Sequence, residues 1–299
     1  MPEKWINKKK ETVKLMKKVF GVFGDPIGHS LSPLMHNAAF SALALDCAYH
    51  AFRVRPEKLE KAVLGAEAMG FGGVNLTVPL KEKALELDCI EPDPLAKKIG
   101  AVNTLVFREE GEGGRKIRGY NTDGLGAKQA LLDFAVEIKG SKILIVGAGG
   151  AARAIGFRFV EDGAEVIIAN RTEKKAIALA GDIAGTMPEG RIRGTGLSGL
   201  DTLVREADVL INATTLGMYP NLNTSIVDAG ALHPDLAVFD IVYNPLQTKL
   251  LKDAEAAGAK AVSGAMMLVY QGAEAFRLWT GVEPPVELMK KTVLEALGT

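Results

Sequence analysis

Three short polar segments interrupt otherwise apolar parts of this sequence, and each lies at or just beyond the end of a stretch typical of a β-strand. The segments are Ser30-Leu31-Ser32, the stretch from Asn75 to Lys81, and Asn103-Thr104 with the later Asn121-Thr122-Asp123. In α/β proteins, ligands bind at the carboxyl ends of strands. We therefore expect these hydroxyls, amides and one amine to converge on a small polyhydroxylated molecule. Ser32 as a helix cap and Asn103 as a turn residue are structural alternatives that the residues alone leave open.

A second pattern is that of a dinucleotide-binding loop. Gly147-Ala148-Gly149-Gly150-Ala151-Ala152 has the form GxGxxA, follows a predicted strand and opens a predicted helix. Gly147 permits a tight turn, Gly149 lets the backbone approach a pyrophosphate, and the small Ala152 allows the helix to pack closely on the strand. The helix N-terminus would then direct its N–H groups and its positive dipole end at the phosphates.

A segment roughly 20 residues beyond the glycine-rich loop distinguishes the two dinucleotides. In an NAD site this segment carries Asp or Glu, which binds the ribose 2′-hydroxyl. Here stand Asn170, Arg171 and Thr172. An acid would repel a 2′-phosphate, whereas a guanidinium can pair with it through charge-assisted hydrogen bonds. Lys175 could add a second cation from the next helix. The segment favours NADP(H), with a merely solvated Arg171 as the alternative.

Composition limits the class of ligand. Lys plus Arg and Asp plus Glu both number 36, so the formal net charge is zero and nucleic acid is a poor candidate partner. No apolar run approaches the roughly 18 residues that a membrane span needs. Cys47 and Cys89 are too few for a disulfide framework and fit a reducing cytoplasm. The four histidines show no metal-site spacing, so we predict no metal and a small-molecule ligand.

The length of 299 residues exceeds what one hydrophobic core usually organises, so we expect two domains. In the first part, apolar runs alternate with helix-like stretches, as in an α/β unit. Strands are predicted at 19–23, 49–54, 74–78, 101–107 and 117–120. Two helices are predicted to begin at Ser32 and at Pro56, and a third, which carries Lys81, should run from after Pro79 to about Leu87. A glycine-rich turn at 111–114 should join the last two strands as a hairpin. The lysine-rich segment 4–18 is interpreted as a solvated extension.

The second part shows a regular alternation of strand and helix. Short buried-strand runs at 143–146, 166–168, 209–211 and 238–241 are separated by helix-length stretches, as in a parallel sheet. Two apolar helices, 265–280 and 286–297, are expected to fold back on the first part. We therefore predict an α/β fold with two α/β domains. They are a substrate-binding catalytic domain of residues 1–123, completed by 263–299, and a Rossmann-type NADP-binding domain of residues 124–262.

The ordered motifs SxSP, NxTxPxK, AVNT, NTDG, GAGGAA, NRT and a YQGAEAF-like segment resemble those of the shikimate dehydrogenase family. They extend from Ser30 to Phe276, nearly the whole chain apart from its ends. The resemblance implies an oxidoreductase that reduces 3-dehydroshikimate to shikimate with NADPH, in chorismate and aromatic amino acid biosynthesis. Leu31 stands where the family often has Lys, and Ala127 where it often has an aromatic residue. Neither is expected to react, so these differences concern affinity more than chemistry.

The resemblance also implies roles for individual residues. Ser30 and Ser32 would bind the substrate carboxylate, and Tyr243 would face the substrate. The residues expected around the ring hydroxyls are Thr77, Lys81, Asn103, Asp123 and Gln271. The residues expected at the cofactor are Gly147, Gly149, Gly150, Ala151, Asn170, Arg171, Thr172, Lys175, the turn from Asn212 to Thr214, and Gly264 and Met267 near the nicotinamide.

Interconversion of a ketone and an alcohol needs a hydride on one face of the carbon and a proton donor or acceptor at the oxygen. NADPH would supply the hydride, and Lys81 is the best candidate for the proton. Asp123 would orient the lysine and accept a hydrogen bond from a substrate hydroxyl. We expect the two groups to meet beside the glycine-rich loop. The local alternative is a surface Lys81 paired with Glu82.

Two other functions remain as alternatives. One is a quinate/shikimate dehydrogenase of broader substrate scope or NAD use. Family members of that kind tend to carry an acid where Arg171 stands and a threonine at the position of Ser32, so both residues disfavour this alternative. The other is a non-catalytic sensor of dinucleotide or shikimate, which the presence of Lys81 and Asp123 disfavours. We expect a monomer or a homodimer.

Overall fold

The computed structural model describes residues 17–110 and 114–298. Most of the lysine-rich segment and the centre of the 111–114 turn lie outside these residues. The strands are β1 (Lys18–Gly24), β2 (Cys47–Arg53), β3 (Gly73–Leu76), β4 (Ile90–Pro92), β5 (Thr104–Glu110), β6 (Gly114–Tyr120), β7 (Lys142–Val146), β8 (Glu165–Ala169), β9 (Arg191–Thr195), β10 (Val209–Asn212), β11 (Ala237–Asp240) and β12 (Lys260–Ser263). The α-helices are α1 (Ser32–Ala42), α2 (Leu59–Ala68), α3 (Leu80–Lys83), α4 (Pro94–Ile99), α5 (Asp123–Asp133), α6 (Gly150–Glu161), α7 (Glu173–Thr186), α8 (Leu200–Arg205), α9 (Lys249–Ala256), α10 (Gly264–Thr280) and α11 (Val286–Ala296).

The first sheet is mixed and has the strand order β2-β1-β3-β5-β6-β4. β1 runs parallel to β2 and β3, whereas β5 is antiparallel to β3 and β6. The predicted β5–β6 hairpin is present on both sides of its turn. Apolar side chains of this sheet enter two different clusters, one around Phe20 and Val22 and one around Val74 and Leu76. The sheet is therefore covered on both faces.

The second sheet is fully parallel, with the order β12-β11-β10-β7-β8-β9. The chain moves outward from β7 to β9 and then returns to the other side of β7. This is the Rossmann strand order, whose crevice lies where the order reverses, between β7 and β10. Ile143 and Ile145 enter one core cluster and Leu144 and Val146 another, because helices cover both faces.

The last two helices return to the first sheet. Trp279 in α10 donates from Nε1 to the Leu105 carbonyl at 2.9 Å, and its ring lies 5.1 Å from that of Phe20 between centroids. α11 packs against α1 and α10. The predicted α/β architecture with returning C-terminal helices is confirmed, while the domain limits near 123 and 263 stay a prediction.

Helix α5 joins the two halves and packs against both α6 and α10. Two of its glycines allow this close approach. A Cβ on Gly124 would lie 2.7 Å from the Ala154 carbonyl oxygen, and one on Gly126 would lie 2.9 Å from the Met267 carbonyl oxygen. Because any side chain there would push the helices apart, the N-terminus of α5 is held at a defined place between the sheets.

Local details differ from the sequence predictions. α1 begins at Ser32, but its cap is Leu31 and no side chain caps the helix. The helix after Pro79 is only α3, continued by a 3-10 turn at Ala84–Glu86. The strands β4, β9 and β12 were not predicted. No helix in the described part of the chain is long and apolar enough to cross a membrane.

Candidate active site

Lys81 and Asp123 form an ion pair at the edge where strands of the first sheet end. Lys81 lies in α3, which follows β3, and Asp123 is the first residue of α5, which follows β6. Lys81 Nζ and Asp123 Oδ2 are 2.6 Å apart, and the two side chains are only 16% and 4% exposed. The alternative of a surface Lys81 paired with Glu82 is therefore wrong.

Both carboxylate oxygens of Asp123 have partners, so the group is held in one orientation. Oδ1 accepts a hydrogen bond from Asn103 Nδ2 at 2.9 Å, while Oδ2 accepts from Lys81. The backbone N–H of Asp123 donates to Asn121 Oδ1 at 3.0 Å, and Asn121 Nδ2 donates to the Ala101 carbonyl at 2.9 Å. The position at the start of a helix also favours a negative charge. The carboxylate thereby fixes the lysine amine.

Asn103 is a buried connector between β5 and the start of α5. Its Oδ1 accepts from the Thr122 N–H at 2.9 Å, and its Nδ2 donates to Thr122 Oγ1 at 2.9 Å. Thr122 Oγ1 also donates to the Gln271 carbonyl at 3.0 Å, which links α10 to the site. Because these partners of Asn103 are distant in sequence, a local turn does not explain the residue. Its contact with substrate stays a prediction.

The hydrogen-bond network continues through two residues to which no site role was assigned from the sequence. The hydroxyl of Tyr49 donates to Asn75 Oδ1 at 2.7 Å. Asn75 Nδ2 donates to Thr104 Oγ1 at 3.0 Å and to the Asn103 carbonyl at 3.2 Å. The only available signal for Asn75 was its place in a polar segment, and Tyr49 carried none. Together they hold the start of β5, next to Asn103.

The predicted substrate residues Ser30, Ser32 and Thr77 lie on neighbouring segments. The two serines come after β1, and Thr77 comes after β3, which pairs with β1 in parallel. Their segments therefore leave the sheet at the same edge. The Ser32 N–H donates to Ser30 Oγ at 3.4 Å, and the Thr77 N–H donates to the Phe23 carbonyl at 2.9 Å.

Tyr243 and Gln271 come from distant parts of the chain and reach the same region. Burial raises the pKa of Tyr243, and a hydrogen bond from the Leu31 backbone, between the two serines, opposes that rise. Gln271 lies in α10, where its carbonyl accepts from Thr122 and its Nε2 donates to the Leu268 carbonyl at 2.8 Å. The fold thus places both residues beside the Lys81–Asp123 network or the serine loop. Their contacts with a substrate stay predictions.

The glycine-rich loop has the geometry of a phosphate cradle. Gly147 has a φ of 124°, and a Cβ there would lie 2.6 Å from the Ala213 carbonyl oxygen. Gly149 caps α6, and Gly150 is its first residue. A Cβ on Gly150 would lie 3.4 Å from Lys81 Cβ. The lysine therefore lies directly against the loop, with no layer of protein between them, as expected.

The segment predicted to recognise the 2′-phosphate follows β8, the neighbour of β7 in the sheet. Asn170 Nδ2 donates to the Thr172 carbonyl at 3.0 Å, which closes the loop locally. Arg171 and Lys175 are both exposed at the start of α7. Two accessible cations beside a helix N-terminus suit an anionic group. The residues present therefore fit NADP(H), and their individual contacts with it stay predictions.

The residues predicted near the nicotinamide follow β10 and β12, two strands on the same side of β7 in the sheet. Thr214 follows β10, and both its N–H and its hydroxyl donate to Asn212 Oδ1, at 3.0 and 2.7 Å. Gly264 starts α10, and Met267 is buried one turn later, with its carbonyl against Gly126. Among the residues that the structure describes, no group of three or more His, Cys, Asp or Glu could hold a metal ion.

Three family models match the chain. The substrate-binding domain of shikimate dehydrogenase matches residues 22–105, shikimate/quinate 5-dehydrogenase matches 128–243, and the C-terminal domain of shikimate 5′-dehydrogenase matches 264–294. The chain is 72% identical over 282 residues to the shikimate dehydrogenase (NADP(+)) of Methanosarcina barkeri, covering 94% of this chain and 99% of the relative.

Solved structures agree with this match. A crystal structure of shikimate dehydrogenase in complex with NADP+ has a TM-score of 0.86 and 45% identity, covering 95% of this chain and 96% of that one. The shikimate 5-dehydrogenase of Thermus thermophilus, in complex with NADP(H) and shikimate, has a TM-score of 0.81 and 40% identity. That match covers 94% of this chain and 100% of the other. The likeness therefore includes both halves of the molecule.

Proposed function

The chain belongs to the shikimate dehydrogenase family, and on that premise we propose that it reversibly reduces 3-dehydroshikimate to shikimate with NADPH. One observation carries the proposal. The amine of Lys81 is paired with the buried carboxylate of Asp123 at 2.6 Å, and the lysine lies against the glycine-rich loop of a Rossmann sheet. A proton-transfer group thus stands where a nicotinamide cofactor would be bound.

The reaction divides into two transfers. When bound, NADPH supplies the hydride that reduces the carbonyl carbon. Lys81 donates a proton from Nζ to the carbonyl oxygen, which becomes the hydroxyl of shikimate, and in the reverse direction it accepts that proton. Because the lysine side chain keeps 16% of its exposure, solvent can restore its proton after turnover. Asp123 holds the amine and accepts a hydrogen bond from a neighbouring substrate hydroxyl.

The remaining residues bind and orient the two ligands. Ser30 and Ser32 are proposed to bind the substrate carboxylate, assisted by Tyr243 next to their loop. Thr77, Asn103 and Gln271 are proposed to bind ring hydroxyls around Lys81 and Asp123. A carboxylate at one end and hydroxyls at the other would place the carbonyl beside the amine, which is the orientation that proton transfer needs.

The cofactor is proposed to lie along the crevice from β8 to β10. The N–H groups at the start of α6, which have no partner within the helix, would hold its pyrophosphate. The Arg171 guanidinium and the Lys175 ammonium would pair with its 2′-phosphate. Thr214 and Met267 would border the nicotinamide. Charge-assisted bonds to the phosphate favour NADP(H) over NAD(H).

The test of catalysis is Lys81→Met, which removes the amine and keeps an unbranched side chain. We expect kcat for 3-dehydroshikimate to fall about 10²–10⁴-fold while NADPH still binds, because only the proton transfer is lost. Lys83→Met is the matched control, since Lys83 lies in the same helix and pairs with Glu86 at 3.3 Å at the surface. Unchanged turnover in Lys81→Met would refute the proposal. A wild-type chain that binds both ligands without turnover would support the sensor alternative.

The test of specificity is a matrix of 3-dehydroshikimate, shikimate and quinate with NADP(H) and NAD(H). Turnover of shikimate with NADP+ well above that of quinate is expected, and equal rates would favour the broader quinate/shikimate alternative. Arg171→Asp should raise KM for NADP+ about 10–100-fold, because a charged hydrogen bond of about 1.5–3 kcal/mol is lost. Arg205→Asp, an exposed arginine at the end of α8, is the control. An equal effect of both changes would contradict the role of Arg171.

We also propose that the chain works in the cytoplasm as a monomer or a homodimer. Both cysteines, Cys47 and Cys89, are free thiols, which agrees with a reducing compartment. Size-exclusion chromatography with light scattering distinguishes the two oligomeric states directly.

A further inference from the structure

Asp240 is a fully buried carboxylate that has no part in the proposed chemistry. It ends β11, next to the crevice of the second sheet, and is 0% exposed. Burial raises its pKa to about 6, and the hydrogen bonds that it accepts oppose the rise. Burying a carboxylate costs free energy unless hydrogen bonds compensate it, so the donors around Asp240 indicate its role.

Three donors from three segments meet at this carboxylate. Asn212 Nδ2, at the end of β10, donates to Oδ1 at 2.9 Å. The Val242 N–H, in the loop after β11, donates to the same oxygen at 3.0 Å. The hydroxyl of Thr248, the N-cap of α9, donates to Oδ2 at 2.7 Å. Asp240 therefore ties together the two loops that leave β10 and β11.

The contact with Asn212 reaches the cofactor side of the site. With its Nδ2 held by Asp240, Asn212 presents Oδ1 to the N–H and the hydroxyl of Thr214. Asn212 Nδ2 also donates to the Leu216 carbonyl at 3.1 Å. A Cβ on Gly217 would lie 3.4 Å from Thr248 Cβ, so the far end of the turn rests on the same cluster. The turn that carries Thr214 is thus held at both ends.

The contact with Val242 reaches the substrate side. Val242 directly precedes Tyr243, whose hydroxyl meets the Leu31 backbone of the first half. The start of α10 rests on the same loop, because a Cβ on Gly264 would lie 2.3 Å from the Ile241 carbonyl oxygen. One buried carboxylate therefore supports the segments of Thr214, Tyr243 and Gly264.

We propose that Asp240 is a positioning residue that holds Thr214 on the cofactor side of the site and Tyr243 on its substrate side. It acts through Asn212 on Thr214 and through Val242 on Tyr243. The inference rests on the proposed function only in so far as Thr214 and Tyr243 contact the ligands.

The test is Asp240→Asn, which keeps the shape of the side chain. The Oδ1 of the new asparagine can still accept from Asn212 and Val242, but its Nδ2 must then face Thr248. An amide nitrogen cannot accept, so the hydroxyl hydrogen of Thr248 loses its acceptor. We expect the Kd of NADPH by calorimetry and KM for 3-dehydroshikimate each to rise at least fivefold. Asp162→Asn is the matched control. Its carboxylate accepts from Lys128 Nζ and from Arg158 Nε and Nη2, at 2.9 to 3.0 Å, just beyond the other end of α6.

A loss of thermal stability in Asp240→Asn with wild-type Kd and KM would overturn the proposal, because the residue would then be structural only. Thr248→Val and Thr248→Ser test the same cluster if that variant does not fold. The valine should weaken NADPH binding, and the serine, which keeps the hydroxyl, should restore it; equal effects of both would count against the proposal. Combined with Thr214→Val, Asp240→Asn should weaken binding by less than the product of the two single effects.

Calorimetry with NADPH keeps the two proposals separable. A wild-type chain that binds NADPH but does not turn over 3-dehydroshikimate would refute the proposed function. The change in Kd on Asp240→Asn would still decide whether Asp240 positions the cofactor turn.

Discussion

Replacing His36 by leucine should remove a source of acid sensitivity from the core of the first half. The imidazole is 0% exposed and is stacked on Tyr49, with ring centroids 4.5 Å apart. Neither ring nitrogen has a hydrogen-bond partner in the described part of the chain. Burial lowers the pKa of His36 from 6.5 to about 3. The folded protein therefore keeps this imidazole neutral where an unfolded chain would protonate it.

The sign and size of the effect follow from linkage. Above pH 6.5 the imidazole of His36 is neutral in both states, and the free energy of unfolding has its full value. As the pH falls toward 3, the free energy of unfolding decreases, because only the unfolded state gains the proton in that window. Each pH unit within the window costs about 1.4 kcal/mol. Between pH 7 and pH 5 the wild-type chain should lose about 2 kcal/mol of unfolding free energy through this residue alone.

Urea unfolding of the wild-type chain and of His36→Leu, at pH 7 and at pH 5, measures this contribution. The difference between the two proteins should change by about 2 kcal/mol between the two pH values, in favour of the variant at pH 5. Packing changes cancel, since they affect both measurements equally. Phe40→Leu, which alters a ring next to His36 without removing a titratable group, should show a constant difference. Parallel pH dependences of wild type and His36→Leu would refute the reasoning.

Two further predictions concern the site. Tyr49→Phe leaves the buried Asn75 Oδ1 without its donor, so urea unfolding should show a loss of about 1–3 kcal/mol together with a raised KM for 3-dehydroshikimate; unchanged values of both would contradict the network. Gly147→Ala should lower both stability and NADPH affinity, because φ is 124° and the new Cβ would lie 2.6 Å from the Ala213 carbonyl oxygen. A Cβ on Gly149 would lie more than 4 Å from any heavy atom beyond its chain neighbours, so Gly149→Ala should leave stability unchanged. It should still weaken NADPH binding in a fluorescence titration, and equal stability losses in the two variants would contradict this difference between the two glycines.

Elements with a local signature were predicted well. The strand β7, the glycine-rich loop and α6 follow one another without interruption, and each is specified by residues a few positions apart. The strands β9 and β12 were missed because they are the two edges of the second sheet. β9 has no buried residue and β12 has only Val262, so both lack the continuous apolar run of a central strand. β4 is only three residues long and lies at the edge of the first sheet.

The candidate site shows the same division. Lys81 and Asp123 were found through motifs that resemble those of a known family, and their pairing over 42 positions is a product of the fold. Tyr49 and Asp240 belong to no such motif, because an aromatic residue in a strand and an acid at a strand end are common in any sequence. Only their hydrogen-bond partners in the folded chain connect them to the site.

The sequence by itself determined the α/β class, the glycine-rich loop between strand and helix, and the preference for NADP(H). These depend on periodicity, turn residues and chemical type, which neighbouring positions specify. Lys81 and Asp123 were predicted as proton-transfer residues through the resemblance of their motifs to a known family. The tertiary structure alone decided that Lys81 lies against Gly150, that Asn103 and Asn121 hold Asp123, and that the buried Asp240 accepts a hydrogen bond from Asn212. Such contacts join segments that are distant in the chain, and only the packing of helices and sheets brings them within hydrogen-bonding distance.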